Sequence, residues 1–191
     1  MQLSKLWRGN CVLLALAALL ASATFAAAED RSVSEADGKL KLTAPETWQR
    51  KKPSSRVIDY EFAIPPVGDD ENPGRATISG AGGSIDANIE RWIGQFIQPD
   101  GSDTKKVAKI EEKKIAGQEV HLVDLSGTYK DQPGGPFAGG PIIERKGYRM
   151  FAAIIVTKDL GNYYLKFYGP ERTVAENRVA FDKMVESLEV K

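Results

Sequence analysis

The first apolar positions of the chain form one continuous run, and the positions after it change to alternating patterns. The run covers residues 11–25 and follows a short polar segment that carries two basic residues and no acid. Three alanines ending at Ala28 separate it from an acidic pair, and small residues in those positions suit a signal peptidase. This order predicts a secretory signal peptide over residues 1–28, with Ala23 as an alternative cleavage point.

An uncleaved membrane anchor is the alternative interpretation of this segment. Residues 11–28 are just long enough to span a bilayer, which takes about 20 apolar residues. The second half of the run is Ala and Ser rather than Leu or Ile, which weakens insertion and favours cleavage. We therefore expect an exported protein, periplasmic or secreted, without stable membrane insertion after cleavage.

Polar residues without periodicity follow at 29–38, which predicts a flexible leader before a single domain at 39–191. In that domain apolar and polar residues alternate in several segments, as expected for half-buried strands. The segment at 148–157 is apolar on both faces and is therefore expected in the middle of a sheet. The predicted strands cover residues 39–43, 56–64, 75–79, 104–115, 119–129, 148–157 and 163–168.

Two segments carry apolar residues at helical spacing. Ser84 is placed to cap the first helix, and Thr173 with Glu176 has the spacing of a capping box at the start of the last one. The apolar stripes are Ile85, Ile89, Trp92, Ile93 and Phe96, and then Val174, Phe181, Met184, Val185 and Leu188. Strands joined mostly by short turns predict an α+β fold, an antiparallel sheet of about six to seven strands with helices packed on it.

Five short segments, taken together with this order of strands and helices, resemble those of a known fold. They are Ala44-Pro45 before Trp48; Asn88-Ile89, Arg91-Trp92 and Gln95-Phe96 on the first helix; Gly127-Thr128-Tyr129; Tyr148-Arg149-Met150; and Gly169-Pro170 before Thr173-Val174. With them the chain resembles the PsbP-like fold, an α/β/α sandwich shared by an extrinsic photosystem subunit, a Ran-binding nuclear import factor and many exported bacterial proteins of unknown function. The similarity is greater to the bacterial group, so it implies fold and export but no photosynthetic role. It carries over no catalytic or ligand-binding residue.

The composition of the mature chain narrows the classes of function that the protein can have. Once the signal with Lys5 and Arg8 is removed, 24 basic residues face 26 acidic ones, a balance that gives no reason to expect nucleic-acid binding. The single cysteine, Cys11, leaves with the signal, so the mature chain has no disulfide, no thiolate metal site and no thiol nucleophile. The folded domain must therefore be stabilised by its core alone.

The single histidine, His121, lies within a predicted strand and limits catalytic chemistry further. One histidine cannot form a two-histidine metal site, and we expect no metal and no cofactor. Gly82-Gly83-Ser84 approaches the G-x-S-x-G nucleophile elbow, but Asp86 replaces its last glycine, so a helix cap is the simpler interpretation. A hydrolase that uses Ser84 or acidic residues with His121 stays open as an alternative, although an enzyme is not the favoured interpretation.

A Gly- and Pro-rich segment at 131–141 is the predicted binding surface. Phe137 is an isolated aromatic residue in its middle, flanked by Tyr129 and Arg145. We predict that these three residues contact an envelope protein or a small ligand, which makes the chain a non-enzymatic binding or accessory module. A carrier of a small apolar ligand is a further alternative. It would use the helix aromatics Trp92, Phe96 and Phe181.

Overall fold

The computed structural model describes residues 31–133 and 140–191, apart from the side chain of Ala81. The segment interpreted as a signal peptide lies outside these ranges. Within them no helix is both long and apolar enough to cross a membrane. The strands are β1 (Ser32–Glu35), β2 (Leu40–Thr43), β3 (Gln49–Lys51), β4 (Tyr60–Ile64), β5 (Gly74–Ala81), β6 (Phe96–Ile97), β7 (Lys109–Ile115), β8 (Gln118–Asp131), β9 (Ile143–Val156), β10 (Asn162–Pro170) and β11 (Glu189–Val190). The helices are α1 (Ile85–Ile93), α2 (Thr104–Val107), α3 (Glu171–Glu176) and α4 (Arg178–Glu186).

Eight of the described strands form the main sheet, in the order β3-β4-β5-β10-β9-β8-β6, with β7 paired to the first half of β8. A small second sheet contains β1, β2 and β11, and the pairings in both sheets are antiparallel. The α+β class is therefore confirmed, with eight strands in the main sheet rather than six or seven. β3 and β6 are three and two residues long, too short to show alternation in the sequence.

The central strands bury side chains on both faces, and each face has its own core. β9 lies between β10 and β8, which confirms the expected central strand. On one face the small sheet and α4 cover apolar residues such as Phe167, and on the other α1 covers residues such as Tyr164. Successive residues of β10 therefore serve different cores, as the two-residue period of a strand requires.

The first described residues are folded, which corrects the expected leader. Ser32–Glu35 forms β1 and pairs with β2, where Val33 lies opposite Leu42 and is fully buried. A flexible leader over 29–38 is therefore wrong for these residues. A single apolar residue in a short strand leaves no readable period, so alternation in the sequence could not indicate it.

One observed helix start agrees with the prediction from the sequence, and two differ from it. Ser84 caps α1 as predicted, because its hydroxyl accepts a hydrogen bond from the Ala87 amide at 3.2 Å. The segment predicted as one strand at 104–115 begins instead with α2, capped by the side chain of Asp103. The capping box at Thr173 does not form, because α3 already begins at Glu171 and Thr173 lies inside it.

Candidate functional site

A cavity of about 630 Å³ opens on the face of the main sheet that α1 covers only in part. Its floor comes from β5 and β10, where Thr77 pairs with Lys166 and Arg75 pairs with Tyr168. Its walls are the end of α1, the loop at 54–58 and the end of β8 with the residues that follow. This volume is typical of small-molecule sites, and we call the cavity the Lys166 pocket.

Strand alternation places a lysine on this floor. Along β10, Tyr164 and Tyr168 flank Lys166 on the α1 face, whereas Leu165 and Phe167 pack into the opposite core. The backbone of Lys166 is held by the neighbouring strands β5 and β9, so its side chain must extend over the sheet toward the end of α1.

The ammonium group of Lys166 has neutral partners. Its Nζ donates hydrogen bonds to Gln95 Oε1 at 2.7 Å and to the Tyr129 hydroxyl at 3.2 Å. It also lies 4.7 Å from the ring centroid of Tyr168 and 5.1 Å from that of Tyr129. Across residues 31–133 and 140–191, no carboxylate forms an ion pair with it. The positive charge is therefore stabilised by dipoles and ring faces rather than by a counter-ion.

Lys166 consequently titrates near neutrality. Burial lowers its pKa from 10.5 to about 7, and the positive charges of Arg91 and Arg75 lower the pKa further, against a small opposing effect of Asp131. An anion beside Nζ would favour the charged form and reverse part of this shift. A bound anion therefore stabilises the charged form of Lys166 more than it would stabilise an exposed lysine.

Arg75 is occupied by protein partners. Its Nε donates to Glu61 Oε1 at 2.8 Å, its Nη1 to the Tyr168 hydroxyl at 2.7 Å and its Nη2 to Ser54 Oγ at 2.7 Å. Burial alone would raise the pKa of Glu61, but the hydrogen bonds from Arg75 and Ser54 and the positive charge of Arg75 together outweigh burial and lower the pKa below its ordinary value. Arg75 thus fixes the floor of the pocket, and most of its donor capacity is used there.

Arg91 is the second cation with neutral contacts. It is exposed on the last turn of α1, donates to Asn88 Oδ1 at 2.9 Å and lies 6.0 Å from the ring centroid of Trp92. Among the described residues it forms no ion pair with a carboxylate. Arg91 and Lys166 both line the pocket, so two cations without a carboxylate partner face the same space.

The rim of the pocket is apolar on the side of the 54–58 loop. Val57 and Ile58 line it there, and Ile142 with Pro133 lines it near the end of β8. Val57 is 75% exposed and Ile142 is 60% exposed. We call the part of the pocket lined by Lys166 and Arg91 its inner end, and the part lined by Val57, Ile58 and Ile142 its outer end.

One of the three predicted partner contacts, Tyr129, lines this pocket. Tyr129 forms part of the pocket wall, but it is only 5% exposed, and its ring packs at 4.9 Å against Tyr168. Burial also raises the pKa of the Tyr129 hydroxyl, so the group stays protonated. Arg145 is its cross-strand partner and pairs with Asp131 at 3.3 Å. Phe137 lies outside the described residues, and the contact predicted for the three residues stays a prediction.

Lys166, Gln95 and Arg91 were missed by the sequence analysis. The signal available was a lysine at 166 between two tyrosines on one face of a predicted strand. A lysine flanked on its own face by core aromatics must pass over them to reach water. Its partner Gln95 is distant in sequence, so only the folded chain shows the pair.

The residues of the hydrolase alternative make separate local contacts. Ser84 Oγ accepts the Ala87 amide hydrogen bond that caps α1. His121 Nε2 lies 2.5 Å from Glu119 Oε1 on the same strand. Neither residue has a hydrogen bond to the other among the described residues, so the nucleophile–base contact that a hydrolase needs is not formed here.

One group of side chains has the composition of a metal site. Donor atoms of Glu112, Glu119 and His121 lie within 4.8 Å of one another, because Glu112 pairs with His121 across β7 and β8. Both glutamates are exposed, and Lys114 is the cross-strand partner of Glu119. One imidazole and two carboxylates could hold a divalent cation, with a nearby lysine as a competitor for the carboxylates.

The three aromatics of the carrier alternative do not share a cavity. Trp92 and Phe96 pack in the core beneath α1, whereas Phe181 packs in the core on the opposite face of the sheet. All three are at most 4% exposed. They serve as core residues in the folded chain, and the space between helix and sheet is occupied by their own rings.

The sequence matches no known family model and no curated protein. Solved structures with a similar fold include cyanobacterial PsbP from Synechocystis sp. PCC 6803, at 14% identity over 84% of this chain and 91% of that one, with a TM-score of 0.48. They also include LpqN of Mycobacterium tuberculosis, which is involved in cell envelope biogenesis, at 13% identity over 84% and 89% of the two chains, with a TM-score of 0.46.

The Ran-binding protein Mog1p of Saccharomyces cerevisiae is a third similar structure, at 10% identity over 83% of this chain and 94% of that one, with a TM-score of 0.43. At these identities the likeness concerns the fold alone, so the role of each residue must come from this chain.

Proposed function

We propose that this protein is an accessory binding module whose Lys166 pocket holds a small organic anion. The observation that carries the proposal is the ammonium group of Lys166, which lies in a cavity of about 630 Å³ and forms no ion pair with a described carboxylate. A buried cation without a counter-ion destabilises a fold, so a ligand that supplies the missing charge binds with a corresponding gain.

The surrounding residues support an anion rather than a cation in this space. Arg91 adds a second positive group with neutral contacts, and Lys130 lines the same cavity. Asp131 is the one carboxylate among the described lining residues, and it pairs with Arg145. The net charge of the lining is therefore positive, and the pocket favours ligands of opposite sign.

The proposed role is binding without catalysis. Ser84 and His121 each hold local hydrogen bonds, so the form of the hydrolase alternative that uses Ser84 has no assembled nucleophile and base to support it. The pocket itself supplies positive charge, hydroxyl groups and an apolar rim, which are the features of a recognition site.

We place this activity outside the cytoplasm. Residues 1–28 have the basic start, apolar run and small residues of a cleavable secretory signal. Mass spectrometry of protein isolated from its own cell envelope tests this part of the proposal. A mature chain that begins at Glu29 supports export with cleavage after Ala28, and a full-length cytoplasmic chain contradicts it.

An NMR titration of labelled protein with acetate, benzoate and inorganic phosphate tests the binding proposal. At pH 6.5 and low salt we expect saturable shifts in the amides of Gln95, Tyr129 and Lys166. Lys166→Met should weaken binding at least tenfold, which is about the worth of one charge-assisted hydrogen bond. Lys158→Met, at an exposed turn, is the matched control and should bind like the parent. Absence of saturable shifts with every anion contradicts the proposal.

A further inference from the structure

The two ends of the Lys166 pocket differ in chemistry, and the difference identifies the class of ligand. The inner end carries Lys166 and Arg91, and the outer rim carries Val57, Ile58 and Ile142. Single exposed aliphatic residues are common on protein surfaces. Here two exposed aliphatic residues, Val57 and Ile142, and the half-buried Ile58 line one cavity that two cations without carboxylate partners also line, so the cavity suits an amphipathic ligand.

The inner end is suited to one negative charge. The donors of Arg75 are already used by Glu61, Tyr168 and Ser54, so the cations left for a ligand are Lys166 and Arg91, together with Lys130. A phosphate dianion requires a larger number of converging donors than this. Gly94, at the carbonyl end of α1, also lines the cavity, and the partial negative charge of this helix end repels a dianion more strongly than a monoanion.

The outer end provides apolar surface for a chain. Val57 is 75% exposed and Ile142 is 60% exposed, so each has free surface that a ligand could cover. The cavity of about 630 Å³ exceeds the space that a lone carboxylate group occupies. A ligand with an acidic group at the inner end and a flexible apolar chain at the rim would contact both surfaces.

We infer that the ligand is a monocarboxylate with an apolar chain of several carbons. Its carboxylate accepts hydrogen bonds from Lys166 and Arg91, and its chain covers Val57, Ile58 and Ile142. This inference rests on the proposed anion-binding function and specifies its ligand class. It differs from the carrier alternative, in which an apolar ligand would lie among the helix aromatics.

Isothermal titration calorimetry with acetate, butanoate, hexanoate and octanoate tests the inference. Each added methylene that contacts the rim should tighten binding about two- to fourfold. Octanoate should therefore bind at least about 50-fold more tightly than acetate. Hexyl phosphate at the same pH should bind more weakly than hexanoate, and a stronger affinity for the phosphate would overturn the inference.

The double variant Val57→Ser/Ile142→Ser removes the apolar rim without changing Lys166 or Arg91. The affinity of this variant for acetate should equal that of the parent. Its affinity for the longer carboxylates should increase little with the length of the ligand chain. Val179→Ser is the matched control, because Val179 is 64% exposed on α4, outside the residues that line the pocket, and it should leave the series unchanged. Melting curves of both variants establish that they fold.

The results separate the two proposals. Anions that bind with equal affinity at every chain length overturn the monocarboxylate inference and leave the anion-binding function in place. No binding by any member of the series overturns both. A chain-length dependence that persists in the double variant also overturns the inference, because it places the apolar contact elsewhere.

Discussion

The carboxylate of Asp70 accepts two hydrogen bonds from Thr173, at 2.8 Å from the backbone amide and 2.6 Å from the hydroxyl. The hydroxyl of Thr173 in turn accepts a hydrogen bond from the Val67 amide at 3.0 Å. These contacts join the loop after β4 to the first turn of α3. Thr173 therefore stabilises the helix start through a distant aspartate instead of through the capping box that the sequence suggested.

Replacement of Asp70 tests the value of this contact. Asp70→Ala should lower the free energy of unfolding by about 1–2 kcal/mol, since a buried threonine loses its acceptor and a free amide of the first turn loses its cap. Urea denaturation measures the change. Asp69→Ala, at a fully exposed neighbour, should change stability by less than about 0.5 kcal/mol. Equal effects of the two substitutions would contradict the capping role.

Lys166 should reduce stability where it is charged. Its pKa is about 7 in the folded chain and about 10.5 unfolded, so folding is penalised increasingly as the pH falls from 10.5 to 7. At pH 6 we expect Lys166→Met to be more stable by about 1 kcal/mol, after allowance for two lost hydrogen bonds. The gain should shrink toward pH 10. A variant that is less stable than the parent at pH 6 would show that the lysine is well accommodated.

Anion affinity should depend on pH through the same group. Lys166 faces Arg75 from β5, Arg91 from α1, and Tyr129 with Asp131 from β8, and its own pKa is about 7. Binding of octanoate should therefore tighten as the pH falls from 8.5 to 6, where the ammonium form predominates. In Lys166→Arg the affinity should be nearly constant over this range, because arginine stays protonated. Calorimetry at several pH values measures both profiles.

Glu35 should lower the stability of the folded chain as the pH rises, whereas Lys166 lowers it as the pH falls. Burial, with a smaller effect of Asp59, raises the pKa of its carboxyl from 4.5 to about 7. The folded state therefore loses stability as the pH rises from 4.5 to 7, and the loss is constant above that. Glu35→Gln should be more stable by about 1 kcal/mol at pH 8, after discounting for partial exposure, and unchanged at pH 4. Glu176→Gln, at an exposed position of α3, should show no such dependence.

Gly127 should tolerate no side chain. Its φ angle is 142°, at a register shift between β8 and β9, and an added Cβ would lie 2.7 Å from the Ile97 carbonyl oxygen. We expect Gly127→Ala to cost about 2–3 kcal/mol, from backbone strain together with displacement of β6. Gly82→Ala meets nothing within 4 Å and should be nearly neutral. Thermal and urea denaturation of both variants measure the difference.

The sequence predicted those parts of the fold that depend on local pattern. Alternation located the long central strands, and helical spacing with Ser84 located α1. The sequence analysis did not predict β1 and β6, because these strands form through pairing with distant partners rather than through a pattern in their own few residues. The Lys166 pocket was not predicted for the same reason. Lys166 is covered only when the folded chain brings Gln95 and Tyr129 against it.

β7 lies at an edge of the main sheet and carries a high density of charge. Six of its seven residues are exposed, and the charged ones are Lys109, Glu111, Glu112, Lys113 and Lys114. A strand from another molecule that paired with this edge would have to desolvate these groups at once. The open hydrogen-bonding edge is therefore protected against intermolecular strand addition. Two copies of the domain are therefore not expected to join through β7.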